Sequence, residues 1–534
     1  MKRRYLIIPI LLLFVFSFVD CAKRGRPSGG KKDSIPPIIV RSKPENFSIN
    51  FTENEIKIYF DEYIKLKDLN KELIISPPLK YQPSITPLST GKFIKIKIKD
   101  TLKENTTYSF NFGKSIVDNN EENAFKYYKY IFSTGNYIDS LKLKGTVKDA
   151  LLLNPEEQTT VMLYEVNETF NDSIIYKEKP TYISTTTEGA QDFELSNLKE
   201  GTYLLVALKE KTKDYIFQPQ YDKIGFVEEL ITIPTDSTYT ISLFKEIPEY
   251  YIAKPKHEGK NHIIFGYKGD GSELEIELKS TVSPDFKSTI FKDIKTDTLH
   301  YWFKPEIEND SLVFTAKTEF YLDTLVTRMR DLYTDTLKIK VINSAILTPK
   351  DTLKITANTP LMDLKTENIT IINQDSLTIP VVGRIDKKYN IASLGFPIKD
   401  NESYTIQFYP GAITDFFENT NDTIISRVRT KELSDYATLD VTFENLKSHP
   451  IIVQLVDSKF KIVFEKYLSE SNIANFEYLK PGNYYVRIIY DENKNKIWDT
   501  GNYLQKRQAE TVIYYPKIIE ARANWSLIET FTLD

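Results

Sequence analysis

Five residues near the end of this 534-residue chain have the types and spacing of a cation-binding loop. In YDENKNKIWDTGN (490–502), Asp491, Asn493, Asn495 and Asp499 set side-chain oxygens at positions 1, 3, 5 and 9, and Ile497 could add its carbonyl at position 7. Such a frame suits calcium, a hard cation that takes roughly six to eight oxygen ligands. Three features depart from it: Lys496 replaces the turn glycine, Asn502 rather than Glu stands at position 12, and Lys494 and Lys496 add positive charge. The same Asp and Asn side chains would equally shape an Asx-turn-rich connection between two strands. Both readings stay open, and on the first the ion would be a structural clip.

The other reactive residue types are sparse. There are four histidines, His257, His262, His300 and His449. His257 and His262 are five apart in HEGKNH, whereas a helical zinc pair needs a spacing of four. With His300 nearby, a three-histidine zinc site is conceivable against the alternative of structural or solvated imidazoles. No G-x-S-x-G elbow occurs, and a single cysteine at position 21 leaves no thiol for catalysis further on. GYKGDGSE (266–273) leads into ELEIEL, a strand pattern, so it reads as a hairpin turn rather than a phosphate cradle at a helix N-terminus. Tyrosines in KYYKY (126–130) and IPEYYIAKP (247–255) could form carbohydrate platforms or simply fill strands and cores. No catalytic residue emerges, and the chain reads as a non-enzyme with no cofactor beyond a possible structural calcium.

These residues must be positioned by the elements around them, beginning with the N-terminus. Met1-Lys2-Arg3-Arg4 precedes an almost wholly apolar run from Tyr5 to Val19. That length suits a secretory h-region and is short for a membrane span, which needs about twenty residues. The run ends beside Cys21. With Phe18-Val19-Asp20 before it, this resembles the lipobox of bacterial lipoproteins, departing at Asp20, where a small residue is usual, and at Phe18, where Leu is commoner. The resemblance implies cleavage after residue 20 and several acyl chains, palmitate among them, on Cys21; stable anchoring takes more than one chain. The following AKRGRPSGGKKD is a flexible basic tether that could lie along anionic headgroups. In related lipoproteins an Asp after the cysteine favours inner-membrane retention, and some surface lipoproteins carry an acidic export tag. Ala22 and a basic stretch stand here, which implies the outer membrane, facing the periplasm, with surface exposure as the alternative. A mature body without cysteine has no disulfides and must rely on hydrophobic cores. A net charge of −4 gives no support for nucleic-acid binding.

Beyond residue 35 the dominant period is two. EIKIYF (55–60), KFIKIKIKD (92–100), TYSFNF (107–112), ELEIEL (273–278) and DTLKIKV (335–341) alternate apolar and polar residues, which puts one face on a core and one in water. Tyr, Phe, Ile and Thr abound, as pleated half-buried surfaces favour. This predicts an all-β protein of tandem β-sandwich domains. The chain also repeats. KIYFDEYIKLKDLNKELIISP (57–77) matches KITANTPLMDLKTENITIINQ (354–374), and KENTTYSFNFGKSIVDNN (103–120) matches KDNESYTIQFYPGAITDF (399–416), with Tyr108 over Tyr404, Phe112 over Phe408 and Asp118 over Asp415. NLKEGTYLLVA (197–207) matches YLKPGNYYVRI (478–488), with Gly201 over Gly482. Two module types therefore occur twice in the same order. The Asp and Asn side chains of the first type are predicted to hold its loop, and the glycine of the second to occupy a turn at positive φ.

The first module resembles the bacterial Ig-like domain of S-layer-type proteins, and the second the prealbumin-like, carboxypeptidase-regulatory-like sandwich. The whole resembles Ig-like lipoproteins of Bacteroidota. The expected organisation is a signal peptide at 1–20, the lipidated Cys21 and tether at 21–35, an Ig-like sandwich at 36–136, a prealbumin-like sandwich at 137–249, a further β domain at 250–343, a degenerate Ig-like sandwich at 344–434 and a second prealbumin-like sandwich at 435–534. These motifs specify a fold, and the fold hosts many roles. The expected role is a lipid-anchored envelope protein whose sandwiches form a semi-rigid arm for binding or scaffolding, with an envelope protein or a glycan as partner. The alternative is a surface-exposed carbohydrate-binding or adhesion lipoprotein.

Overall fold

The computed structural model describes residues 32–154, 158–187, 189–247, 251–269, 271, 274–319, 321–342 and 345–533. Cys21 and the apolar run before it lie outside the described residues. The alternation read in the sequence becomes strands along the whole chain, and among the described residues α-helix is limited to one turn, Leu69–Glu72. The fold is all-β. The chain divides into two compact units, Met1–Leu141 with Ser196–Lys199, and Lys142–Leu195 with Glu200–Asp534.

The first unit is a two-sheet sandwich. One sheet runs Ile39–Lys43, Glu55–Leu66, Gly91–Lys97, Ser84–Thr86, with Ile116–Asp118 on the far end of Glu55–Leu66; the other runs Ile74–Ser76, Thr107–Asn111, Lys129–Ser133. The period of two decides what is inside. Ile56, Ile58, Ile94 and Ile96 point from the first sheet into a core shared with Phe110, Tyr130 and Phe132 of the second. Burying each such side chain contributes about 1.5–3 kcal/mol relative to exposure.

The second unit contains all but Leu141 and Ser196–Lys199 of the two segments that share the NLKEGTYLLVA pattern, and the topologies of these segments match strand for strand. In the earlier one the order is Tyr182–Thr185, Thr160–Glu165, Gly201–Lys209, Lys223–Phe226, with Ile231–Ile233 also on Gly201–Lys209; the facing sheet is Asp192–Leu198, Leu141–Asp149, Thr238–Leu243. In the later one it is Ile462–Leu468, Ile451–Val456, Gly482–Tyr490, Val512–Tyr514, with Ile519–Ala521 on Gly482–Tyr490, facing Ile473–Leu479, Ala437–Glu444, Ser526–Thr532. In both, the last strand pairs in parallel with the first. Between them lie a sandwich from Tyr251 to Arg328 and another from Ile339 to Thr430.

The Ig-like repeat is recorded in hydrogen bonds as well as letters. Lys103 N–H donates to Tyr108 Oη (2.9 Å), and Lys399 N–H to Tyr404 Oη (2.7 Å). Thr134 Oγ1 donates to Lys103 O and accepts from Thr106 N–H, as Thr430 Oγ1 does with Lys399 O and Glu402 N–H. Asp118 accepts from the amides of Asn120, Glu121 and Asn123, and Asp415 from those of Phe417 and Asn419. The loops are held by their aspartates, as the motif predicts.

One expectation is met in part and another is corrected. The positive-φ glycine expected at the turn of the second module is present at Gly482 (φ 158°) and not at Gly201, and the matching residues Asn197 (φ 60°) and Tyr478 (φ 58°) just before the turn are left-handed. An Asn tolerates that region because its short amide bonds locally. Nor is GYKGDGSE a hairpin turn. His262–Lys268 pairs with Thr298–Lys304, and Glu275–Leu278 pairs with Ser311–Lys317, so the segment crosses from one sheet to the other.

Candidate functional site

The loop after Gly482–Tyr490 gathers all five residues of the cation frame, and side-chain oxygens of Asp491, Asn493, Asn495 and Asp499 accept hydrogen bonds from the loop itself. Asp491, 1% exposed, accepts from Asn495 N–H with Oδ1 (3.1 Å) and from Lys496 N–H with Oδ2 (3.0 Å). Asn493 Oδ1 accepts from Asn495 N–H and Asn495 Oδ1 from Ile497 N–H. Asp499 Oδ2 receives both side-chain amides, from Asn493 (2.6 Å) and Asn495 (2.7 Å). Lys494 and Lys496 adopt left-handed φ of 65° and 68°, which these side-chain acceptors support. Glu510, absent from the sequence reading, closes the far side. Its carboxylate accepts from Glu492 N–H and Asp499 N–H, its carbonyl accepts from Trp498 Nε1, and burial raises its pKa. Among the described residues no group of three or more His, Cys, Asp or Glu side chains has metal-binding geometry.

What the loop positions is the next four residues, which dock on the earlier of the two matching sandwiches. Thr500 Oγ1 donates to Lys245 O (2.7 Å), and Tyr503 N–H donates to Glu246 Oε1 (2.5 Å). Gly501 lies on the ring of Phe244. The fully buried Tyr503 ring meets Phe226 edge-on, centroids 5.2 Å apart. Gln508 Nε2 donates to Phe226 O, and Lys506 pairs with Asp172 at 2.6 Å. A second point of attachment lies one strand away. Arg487 Nη1 and Tyr514 Oη both donate to Leu151 O (2.9 and 2.8 Å), with Arg487 Nε held by Gln454 Oε1. Within the second unit the last sandwich thus returns to the first, which a simple end-to-end arm does not do. The physical reason is a long Asx-stiffened loop that projects Tyr503 and a glycine small enough to let it seat.

Close to this seam, Glu210 has a buried Oε1 with no hydrogen-bond partner, while Oε2 accepts from Tyr215 N–H (3.0 Å). Burial, with Asp214 and Asp222 nearby, pushes its pKa up to about 7.

The histidines divide between two faces of one sheet. His257 pairs with the core residue Ile263, accepts from Arg330 N–H at Nδ1 (3.0 Å), and sets Nε2 beside Lys260 O. His262 and His300 lie on the opposite face in a stack: Trp302 on His262 (4.0 Å, 6°), then His300, then Phe291. His262 Nε2 is 2.9 Å from His300 Nδ1, and Asp293 Oδ2 is 3.7 Å from His300 Nε2. Burial, then the neighbouring imidazoles, depress His262 to about 3, and burial also lowers His300. Phe416 and Phe417 of the following sandwich cover Phe291 and Trp302, and Lys304 pairs with Glu418 at 2.8 Å. The three histidines that made a zinc set conceivable therefore do not converge on one point: His257 lies on the face opposite His262 and His300. His449 is elsewhere, beside Asn472 Oδ1. Of the two tyrosine-rich stretches, KYYKY mixes an exposed Tyr127 with a fully buried Tyr130.

Residues 33–134 match the bacterial Ig-like domain family, so the first unit is a bacterial Ig-like domain in an all-β chain. No curated protein matches the chain. Among solved structures it is similar to the TIE protein of Bacillus anthracis, at 12% identity over 95% of this chain and 76% of that one, with a TM-score of 0.15. It is also similar to surface layer protein SbsC, domains 1–6 (11%, 88% and 67%, TM-score 0.16), and to the major pilin subunit of Bacillus cereus (9%, 74% and 99%, TM-score 0.14). At those TM-scores the similarities carry nothing about arrangement or role. Among the described residues no helix is long and apolar enough to cross a membrane.

Proposed function

We propose that this chain is a non-enzymatic, lipid-anchored protein of the cell envelope, a set of β-sandwiches that binds or scaffolds at the outer membrane, tethered through Cys21 and facing the periplasm. The observation that supports it best is the use made of the polar groups most capable of chemistry. Asp491, Asn493, Asn495, Asp499 and Glu510 shape a docking loop, and His262 and His300 are stacked at a seam between sandwiches. Chemistry of that kind builds a preorganised set of surfaces, and loops and edges on rigid scaffolds are where binding residues concentrate. The direct test is mass spectrometry of the mature N-terminus with membrane fractionation. Acylated Cys21 in the outer-membrane fraction, and release of a Cys21→Ala variant, are expected. An unmodified thiol on a freely diffusing product would overturn the reading.

A second reading, a surface-exposed carbohydrate-binding or adhesion protein, is favoured by Tyr63, Tyr81, Tyr127 and Tyr137 of the first unit, each at least 50% exposed. Protease shaving of intact cells separates the two: protection supports the periplasmic orientation, and digestion the surface one.

A further inference from the structure

The outer face of the first sheet carries an unusual row of charges. Cross-strand pairing sets Lys43 opposite Lys57, and Lys57 opposite Lys95, so three lysines stand side by side across three strands. Like charges directly opposite one another destabilise a sheet. The neighbouring row is Arg41, Tyr59 and Phe93, and the next contains Glu55 opposite Lys97. The face therefore holds Arg41, Lys43, Lys57, Lys95 and Lys97 against Glu55 and, farther along the same strand, the exposed Asp61, whose Oδ1 accepts from Ile38 N–H, in a chain whose net charge is −4. Glu55 bridges Lys57 (3.0 Å) and Lys95 (2.9 Å), which relieves part of the repulsion and holds its own pKa down.

The aromatic row is built into the same surface. Tyr59 and Phe93 lie with centroids 5.5 Å apart, the Arg41 guanidinium sits 4.4 Å from the Tyr59 ring, and Phe93 is 40% exposed. We infer that this face is a binding surface for an acidic polysaccharide, a polymer whose sugar rings lie on Phe93 while its carboxylates meet the row of lysines. The inference specifies the partner class left open by the binding part of the reading above, and rests on that part alone, not on the anchor.

Three features favour this occupant over other anions. Neighbouring strands are about 4.8 Å apart, so the lysine row presents cations at close, regular intervals along a line, as an extended charged polymer requires. The exposed Phe93 ring lies in the row directly beside the lysines, so a sugar ring can stack on it while the carboxylates of the same chain reach the cations. Finally, the face is made of strands, and the described residues of the first unit hold no helix longer than the single turn Leu69–Glu72 to enter a duplex groove.

The test uses the purified full chain with polygalacturonate as probe, neutral dextran as control, and anionic phosphatidylglycerol vesicles and duplex DNA as competing classes. Expected is binding to polygalacturonate that weakens with salt, with none to dextran. A Lys43→Glu/Lys57→Glu/Lys95→Glu variant should bind at least tenfold more weakly, and Phe93→Ala severalfold more weakly at the same salt, both with unchanged circular dichroism. Substitution at these outward positions leaves the core residues untouched, and a Lys256→Glu control on another sandwich should bind as the parent does. Absence of polygalacturonate binding, tighter binding to vesicles or DNA, or an affinity indifferent to both the lysine reversal and Phe93→Ala would each overturn the inference. Because the assay needs no membrane, its failure is distinguishable from failure of the anchoring reading, which fractionation alone decides.

Discussion

Gly501 lies so close to Phe244 that a Cβ at this position would come 2.5 Å from the ring Cζ, across 257 residues of chain. The backbone of the docking loop and the ring of the earlier sandwich are thus in direct contact. Gly501→Val is expected to lift the loop from its seat at about 1–3 kcal/mol, the usual cost of overpacking. The readout is denaturant unfolding, with faster proteolytic release of the last sandwich. A midpoint and cleavage rate equal to the parent would contradict the docking geometry.

Glu210 makes stability fall as pH rises. Folding lifts its pKa from 4.5 to about 7, so between those values the folded chain binds the proton more tightly than the unfolded chain. The associated stability is fully present below about pH 4.5 and is lost by about pH 7. At about 1.36 kcal/mol per pKa unit, and discounted for solvent screening, the effect is roughly 2 kcal/mol. Glu210→Gln should remove most of that decline, raising the urea midpoint at pH 8 toward its value at pH 5.

The histidine stack acts in the opposite direction. His262 is depressed from 6.5 to about 3, so its contribution is present above pH 6.5 and is lost as pH falls toward 3. Loosening of the Trp302–Phe417 contact between pH 6 and 4 should appear as a change in tryptophan emission and a loss on the order of 2 kcal/mol. His262→Phe preserves the stack on Trp302 and should flatten this acid dependence.

Loop 491–499 closes on its own hydrogen bonds, and its stability is expected to be indifferent to calcium. Thermal unfolding with chelator and with millimolar calcium should coincide. Asp491→Ala should cost about 1 kcal/mol in either condition, because the Lys496 amide loses its acceptor and the Asn495 amide one of its two. A calcium-dependent rise in midpoint would establish the cation reading instead.

Tyr108→Phe and Tyr404→Phe remove the same hydrogen bond from the two copies of the repeated motif. Each should cost about 1 kcal/mol, one in the first unit and one in the second. Calorimetry should show the two losses in different parts of the unfolding profile.

The sheets were legible because alternation states which side chain faces the core: EIKIYF names Ile56, Ile58 and Phe60 before any coordinates do. The repeats were legible because Tyr108 and Asp118 have local duties that recur at Tyr404 and Asp415. The docking loop was only half legible. Asp and Asn at alternate positions serve a cation or an Asx turn equally well, and Glu510, which settles the loop's shape, stands eleven residues past Asp499. Nothing local in Thr500, Gly501 or Tyr503 points to Lys245, Glu246 and Phe244. The basic face had a visible signal, since the polar half of the alternation in KFIKIKIKD and EIKIYF is mostly lysine. Its meaning depends on strand register, which the sequence does not state.

The parallel pairing of Ser526–Thr532 with Ala437–Glu444 has a consequence for biogenesis. During synthesis, strand 437–444 can pair early with Ile473–Leu479 but must wait for almost ninety further residues before its parallel neighbour emerges. Until then the last sandwich is incomplete, and the seat offered by Phe226, Phe244 and Glu246 stays vacant. Closure of the second unit is therefore a late event, timed by arrival of the final strand.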